Sequence, residues 1–295
     1  IKQFYLDIKN FKKLNQIIKK EKPDIIFHLA AQSVVSESYI NPINTMTTNV
    51  IGSANILEAV RINKIKNLVY ITSDKCYLND GRKTSYSEND ILGGEDLYSA
   101  SKACAELTFE AYYKSFLCKN KKLTFATTRA GNVIGGGDMK KDRIVPDVIK
   151  SLKNKTPLII RSPNATRPWQ HVLEPISGYL KLGELLINKK LPSSIKPNWN
   201  FGPNILNNKT VIQVVREIIS CWGDKKKINI IRNKNFKEAK LLMISNHKAK
   251  KELNWFLSLN FKETIEMTVE WYKECFFKND IEKITKKQIE YFLSK

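Results

Sequence analysis

Tyr98 and Lys102 stand four residues apart at the start of a helical stretch, after a turn containing Gly93–Gly94. That spacing places both side chains on one helix face, about a turn apart. A phenol titrates near ~10 and is a poor base at neutral pH unless a neighbouring cation stabilises its phenolate. Lys102 is such a cation, so the pair has the parts of a proton-abstracting site. Alone the pattern is weak, because many solvated helix faces carry it by chance. A second polar group precedes it: Ser73, Asp74 and Lys75, directly after the apolar run Leu68–Val69–Tyr70–Ile71–Thr72. A hydroxyl, a carboxylate and an amine side by side are unfavourable to bury without a purpose. The plain alternative is that Asp74 and Lys75 cap the next helix or pair with each other, as in structural ion networks.

Both groups need a scaffold, and the first half of the chain spells one out. Ile25–Ala30, Leu68–Thr72 and Leu123–Thr128 read as buried strands. Helical patterns at Phe11–Lys20, Pro42–Asn63 and Tyr98–Phe116 separate them. Strands alternating with helices of this length indicate βαβ units and a parallel sheet covered on both faces. Ser73–Lys75 then falls at the carboxyl end of a parallel strand, where α/β proteins bind ligands. After Asn132 the pattern changes. Gly135–Asp138 reads as a loop, with helices at Arg143–Lys153, Glu174–Asn188, Thr210–Cys221 and Phe261–Phe277, the last being the expected terminal helix. Short strands are expected at Leu158–Arg161, Trp199–Phe201 and Lys227–Ile231, and Thr210 is the expected N-cap of its helix. The expected organisation is residues 1–132 as one domain, with 168–204 contributing to it, and 133–295 mainly as a smaller α/β lobe, the pocket lying between them.

Composition narrows the partners. Lys and Arg total 50 against 29 Asp and Glu, a formal charge of +21 that would attract nucleic acid, anionic membrane or a phosphorylated small molecule. The lysines spread along most helices, with no clustered footprint and no recognised nucleic-acid module, so nucleic acid is not the expected partner. The five cysteines have no C-x-x-C spacing and histidine occurs three times, which argues against a disulfide framework and against a metal site. No apolar run reaches the ~18 residues of a membrane span and no secretory leader is visible, so a cytoplasmic setting is expected.

Four features occur in order: His28–Leu29–Ala30–Ala31, Asn49-x-x-Gly52, Ser73–Asp74–Lys75 and Tyr98-x-x-x-Lys102. Together they resemble the extended short-chain dehydrogenase/reductase family. Two longer runs, Arg129–Asp138 and Pro163–Pro175, look like signatures of its CDP-glucose 4,6-dehydratase branch. The dTDP-glucose and GDP-mannose enzymes typically carry a glutamate where this chain has Lys75. The resemblance covers the chain from Asp7 to the terminal helix. It implies a Rossmann-like doubly wound parallel sheet, N-terminally incomplete, with a smaller C-terminal α/β substrate-binding lobe.

The resemblance further implies an NAD-dependent hydro-lyase acting on CDP-glucose. In it, Tyr98 takes the proton of the sugar 4-hydroxyl, Lys102 holds the tyrosine's pKa down and reaches a ribose hydroxyl, and Ser73 bonds the same sugar oxygen. Asp74, if protonated, releases the 6-hydroxyl as water. Lys75 either removes the C5 proton as a free amine or stays charged, pairing with Asp74 or steadying the enolate. Asp7 and Ile8 are the adenine-contacting pair, and Leu29, Ala30, Ala31 and Gln32 line the nicotinamide path. Arg167 is the diphosphate clamp, a guanidinium suited to paired phosphate bonds. Asn132 donates to the same diphosphate, Arg143 and Arg161 assist, and His171 packs beside the clamp. A homodimer or higher homo-oligomer is implied, through the Pro42–Asn63 and Tyr98–Phe116 helices, with Cys104 at or near the interface. Other nucleotide-sugar dehydratases or epimerases of the family are the nearer alternative, and a non-catalytic RNA-binding protein the distant one.

One family feature is not in these residues. The turn Gly-x-x-Gly-x-x-Gly, which sets backbone N–H groups against a pyrophosphate, is expected ahead of Ile1. The 295 residues by themselves are therefore expected to bind NAD poorly and to be nearly inactive.

Overall fold

The structure is a computed structural model and describes residues 1–118, 122, 124–160, 162–204, 208–225, 229–230, 241–278 and 280–295. In chain order the elements are α1 (Phe11–Glu21), β1 (Ile25–His28), α2 (Val35–Ile40), α3 (Pro42–Met46), α4 (Ser53–Ile62), β2 (Asn67–Ile71), α5 (Leu97–Tyr112), β3 (Phe125–Ala130), β4 (Asn132–Ile134), α6 (Ile144–Lys153), β5 (Ile159–Ile160), β6 (Thr166–His171), α7 (Leu173–Ile187), β7 (Asn198–Phe201), β8 (Asn208–Thr210), α8 (Val211–Trp222), β9 (Asn229–Ile230), α9 (His247–Leu253), α10 (Phe261–Lys273) and α11 (Ile281–Leu293). A π-type stretch, Thr47–Gly52, joins α3 to α4, and others close α5 (Tyr113–Leu117) and α10 (Glu274–Lys278). The chain divides into two compact units. The first holds Ile1–Asp80, Ser87–Ala130 and Gly178–Asn200; the second holds Gly81–Tyr86, Gly131–Ser177 and Phe201–Lys295.

The first unit is an α/β sheet of order β1-β2-β3-β7, with β1–β2 and β2–β3 parallel. The register sets His28 beside Tyr70 and Tyr70 beside Thr127. Because side chains alternate along a strand, Leu68 and Tyr70 face one side, where they pack with Leu14 and Ile18 of α1, Ile56, Leu57 and Val60 of α4, and Ala105 and Phe109 of α5. Ile25 and Phe27 face the other side, where α7 lies on them. Its Gly183 permits this approach, since a Cβ there would stand 2.6 Å from Phe27 Cζ. Parallel strands covered on both faces must be apolar throughout, which is why the short runs Ile25–His28 and Leu68–Ile71 were legible as strands.

The second unit has a sheet of order β4-β6-β8, with β4 and β6 parallel and β6 and β8 antiparallel, and a parallel β5–β9 pair. Its core joins Val148, Ile149 and Leu152 of α6, Trp169 of β6, Val214, Val215 and Ile218 of α8, and Ile265, Val269 and Tyr272 of α10. Capping boxes start α8 (Thr210 with Gln213) and α10 (Asn260 with Glu263), the former at the expected N-cap. Glu174 accepts backbone hydrogen bonds from Ser258 at 3.0 Å and Leu259 at 2.7 Å, tying the segment before α10 to the start of α7.

Two expectations need correction. The helix from Phe261 is not terminal, because α11 follows it. Its stability comes from contact: Gln288 Nε2 donates to the Met267 carbonyl at 2.7 Å, and Phe292 packs with Met267 and Leu259. The strand β6 was not anticipated, since its Arg167, Gln170 and His171 are all buried and polar and no apolar alternation marks them. Leu123, expected within a strand, lies outside the described residues. Among the described residues no helix is long and apolar enough to cross a membrane. Among them, too, no cluster of His, Cys, Asp and Glu is arranged to hold a metal ion.

The tight Gly183 contact yields a stability test. Gly183→Val is expected to destabilise the protein by about 1–3 kcal/mol in urea unfolding, the usual range for overpacking. Adding Phe27→Leu, which makes room for the new side chain, is expected to recover part of that loss.

Candidate active site

The helix α5 is built to present its first turn. Asp96 caps it, accepting from the Ser99 backbone N–H at 2.9 Å, and Ser101 Oγ donates to the Tyr98 carbonyl at 2.7 Å. Tyr98 and Lys102 are 7% and 6% exposed, and the Lys102 ammonium lies 6.0 Å from the centre of the Tyr98 ring. Burial pulls the Lys102 pKa down to about 8. At neutral pH the ammonium therefore keeps its charge, beside a phenol whose ionised form it would stabilise. His28 at the end of β1 is hydrogen-bonded to Ser53 Oγ at 2.9 Å. Burial, and then the Lys102 charge, lower its pKa to about 3, so it is neutral.

The end of β2 supplies the second group. Thr72 is still in the sheet, its N–H donating to the Thr128 carbonyl at 2.8 Å. The chain then leaves as one tight turn of helix, Asp74–Cys76, which Ser73 opens by accepting from the Lys75 N–H at 3.3 Å. Ser73 Oγ donates to Asp74 Oδ1 at 3.0 Å. Asp74 is buried at 3% exposure, whereas Lys75 is half-buried. α5, which carries Tyr98 and Lys102, packs directly against this turn. Tyr179 of α7 is buried near Asp74; burial and that carboxylate push its phenol up.

The loop after β1 completes this part of the unit. Leu29 and Ala30 are exposed, while Ala31 and Gln32 are partly covered. Asn49 holds the loop: its Oδ1 accepts from the Gln32 N–H at 2.8 Å, and its Nδ2 donates to the Gln32 carbonyl and to Ser101 Oγ, both at 2.9 Å. A single buried amide thus ties the β1 loop to α5. Gly52, three residues on, leaves room for Ile8, because a Cβ would stand 2.8 Å from Ile8 Cδ1. Asn55 Nδ2 also bonds the Ile8 carbonyl at 2.9 Å. The Asp7 carboxylate is exposed and meets the Lys9 backbone N–H at 2.9 Å and the Lys9 ammonium at 3.4 Å.

In the second unit, Asn132 lies on β4 opposite Trp169, and His171 on β6 opposite Ile134, so the two belong to one strand pair. Arg167, on the same strand β6, is 5% exposed and donates to the Thr166 carbonyl at 2.9 Å. Burial lowers the His171 pKa to about 4, leaving a neutral ring. Its Nδ1 accepts from the Leu173 N–H at 3.4 Å, and its buried Nε2 has no partner among the described residues. Arg143 precedes α6 and is paired with Asp138 at 2.7 Å. Trp169 is a core residue whose Nε1 donates to the Lys209 carbonyl at 2.8 Å. Arg161 lies outside the described residues.

Sequence reasoning missed the charged group beneath the first-unit site. Glu106 is paired with Arg129 at 2.7 Å, both side chains being 3% exposed. Arg129 also donates to the Tyr77 hydroxyl at 2.9 Å, which donates to Asn200 Oδ1 at 2.7 Å. Helical spacing was the available signal, because Glu106 continues the Tyr98, Lys102 series at four-residue steps.

A family model described as GDP-mannose 4,6 dehydratase matches residues 1–268. The chain is 46% identical over 223 residues to CDP-glucose 4,6-dehydratase of Salmonella typhimurium, a match covering 74% of this chain and 62% of that protein. It is 32% identical over 186 residues to dTDP-D-glucose 4,6-dehydratase of Dictyostelium discoideum, covering 58% of this chain and 42% of the relative. The chain thus spans less than two thirds of the length of either relative. Among solved structures, dTDP-glucose 4,6-dehydratase of Bacillus anthracis, crystallised with NAD, superposes with a TM-score of 0.76 at 26% identity. That superposition covers 91% of this chain and 78% of the other.

The depressed Lys102 pKa has a consequence for stability. Between pH 8 and 10.5 the unfolded chain still binds the Lys102 proton while the folded protein releases it, so folding gains stability as pH rises through that window. Urea unfolding is expected to show wild type gaining on Lys102→Met by up to about 3 kcal/mol across it. Parallel stability curves for the two proteins would contradict a buried, titrating Lys102.

Proposed function

The chain belongs to the GDP-mannose 4,6 dehydratase family, and from that premise we propose that it carries the catalytic and sugar-binding machinery of a CDP-glucose 4,6-dehydratase. The observation that carries this reading is the packing of α5, which carries Tyr98 and Lys102, against the Asp74–Cys76 turn that follows β2. The 46% identity to the Salmonella enzyme, together with a lysine at position 75, supports CDP-glucose over other nucleotide sugars.

The residues present fit NAD. The apolar side chain of Leu29 is exposed in a loop that Asn49 fastens to α5, and a buried ammonium, Lys102, is close to that loop's anchor. Leu29, Ala30, Ala31 and Gln32 would hold the nicotinamide side, Lys102 the ribose hydroxyls, and Asp7 and Ile8 the adenine side. When bound, NAD supplies the acceptor for the hydride leaving C4 and the donor that returns it to C6.

The chain's own groups move the protons. Tyr98, as phenolate, takes the proton of the 4-hydroxyl, and the Lys102 ammonium stabilises that phenolate. Ser73 Oγ hydrogen-bonds the same sugar oxygen. The 4-ketone so formed acidifies the C5 proton, which Lys75 takes as a free amine and gives back to C5 as the 6-deoxy product forms. Asp74 in its acid form gives its proton to the departing 6-hydroxyl, which leaves as water. Proton transfers of this kind are worth about 10²–10⁴-fold each. Arg167 binds the diphosphate with Asn132, and Arg143, Arg161 and His171 assist. Exposed Ile51, Leu107 and Phe116 supply apolar surface on the helices proposed to form a homodimer. The five free cysteines suit a reducing cytoplasm.

The test is the full-length protein incubated with NAD and CDP-, dTDP-, UDP- or GDP-activated hexose, followed by detection of the 4-keto-6-deoxy product. CDP-glucose is expected to be the substrate turned over, and Tyr98→Phe to lose about 10²-fold or more in kcat. An epimerised product without loss of water would overturn the dehydratase reading. Near-normal turnover by Lys75→Arg would overturn the base role of Lys75.

A further inference from the structure

Glu106 stands four residues after Lys102 and eight after Tyr98, on the same face of α5. Its carboxylate gathers donors from separate elements. Thr72 Oγ1, at the end of β2 and next to Ser73, donates to Oε1. Thr127 Oγ1 of β3 donates to Oε2 at 3.1 Å, and Arg129 Nη2 donates to the same oxygen at 2.7 Å. Arg129 in turn holds Tyr77, the residue that follows the Asp74–Cys76 turn, and Tyr77 holds Asn200 of β7. One buried carboxylate thereby connects the helix that carries Tyr98 and Lys102 to both ends of the segment that carries Ser73, Asp74 and Lys75.

We propose that Glu106 is a positioning residue of the active site: it sets α5 in register with the end of β2 and supplies the negative charge that faces the Lys102 ammonium. This rests on the reading of Tyr98 and Lys102 as the redox pair. Cys76 from the turn and Glu106 from its own helix act electrostatically on Lys102, whose charge in turn reaches His28 of β1. The Tyr98 ring centre lies 6.0 Å from the ammonium, and the buried Asp74 carboxylate, on the same turn as Cys76, acts on that thiol. Cys76 as a thiolate would favour the ammonium most, but burial pushes that thiol well above its usual range, so it is neutral where Lys102 titrates. His28 is neutral there as well. Of the groups that act directly on Lys102, Glu106 is the one held in an ion pair, with Arg129 at 2.7 Å. Around Glu106 itself stand Arg129, Thr72, Thr127, Tyr70 and Cys76. Arg129 is charged at every relevant pH: burial opposes its charge, and the Glu106 carboxylate overrides that.

The experiment follows the Lys102 ammonium by NMR of full-length protein carrying nitrogen-labelled lysine, titrated without substrate. Wild type is expected to show a midpoint near pH 8. In Glu106→Gln the midpoint is expected to fall by ~0.5–1 unit, as when a nearby opposite charge is lost. Glu106→Asp keeps the charge and is expected to restore the wild-type value. Thr127→Val removes one hydrogen bond without changing charge, and is expected to lower the melting temperature while leaving the midpoint in place. Removing one partner of a buried pair is strongly destabilising, so Glu106→Gln/Arg129→Met serves if the single variant does not fold; its midpoint is also expected below wild type. An unchanged midpoint in Glu106→Gln or, where that variant does not fold, in Glu106→Gln/Arg129→Met overturns the proposal. In turnover, Glu106→Gln is expected to lose kcat about tenfold with KM within about twofold, the basic limb of the kcat profile moving to lower pH. A wild-type protein that turns over no nucleotide sugar would count against the proposed function. The Lys102 titration, which uses no substrate, would still decide the role of Glu106.

Discussion

Glu106 and Arg129 meet at 2.7 Å with neither side chain more than 3% exposed, and Lys102 lies one helical turn along from Glu106. Three formal charges withdrawn from water demand compensation, because an isolated buried ion is strongly disfavoured. The compensation comes from the hydroxyls of Thr72, Thr127 and Tyr77, the last held by Asn200, each in a fixed position relative to the others. An apolar packing of α5 on the sheet would tolerate small slides of the helix. A carboxylate that must meet Thr72, Thr127 and Arg129 at once does not. The position of Tyr98 and Lys102 relative to the β2 end follows from that restriction.

The parallel sheet decides where the polar residues collect. Along β1, β2 and β3 the hydrogen-bond ladder keeps carboxyl ends together, so the loop Leu29–Gln32 and the turn Asp74–Cys76 emerge on one side. Asn49 then uses its full set of amide groups on the β1 loop and on Ser101 of α5. A side chain with both donor and acceptor is needed there, since it must satisfy a backbone N–H and a backbone carbonyl of the same residue. Its neighbour in the motif, Gly52, serves sterics instead: it makes room for Ile8. The Asn49-x-x-Gly52 spacing therefore combines two unrelated requirements on one helical segment.

The second unit places polar residues by a different route. β6 buries Arg167, Gln170 and His171 and is flanked by β4 and β8, which satisfy its backbone and leave the side chains to find partners. Gln170 Nε2 reaches the Phe201 carbonyl at 2.8 Å, whereas His171 Nε2 meets no partner among the described residues. A strand of this kind is unfavourable on propensity and on burial alike, so it persists through its pairing and through the Trp169 anchor in the core.

Tyr98-x-x-x-Lys102, the Ser73–Lys75 group and the βαβ rhythm were legible from the residues alone, because helical spacing and short apolar runs are local properties of the chain. The Thr210 cap of α8 was legible for the same reason. β6 and α11 were not, since the first buries mostly polar side chains with no apolar alternation and the second owes its place to contacts with α10 and Leu259. The link between Glu106 and Arg129 was equally out of reach. It joins residues 23 positions apart, and a carboxylate on a helix face is ordinarily a solvated one. Local sequence determined which groups could do chemistry. Only the tertiary structure decided which of them are buried together, because burial and charge pairing depend on distances that the chain closes when it folds.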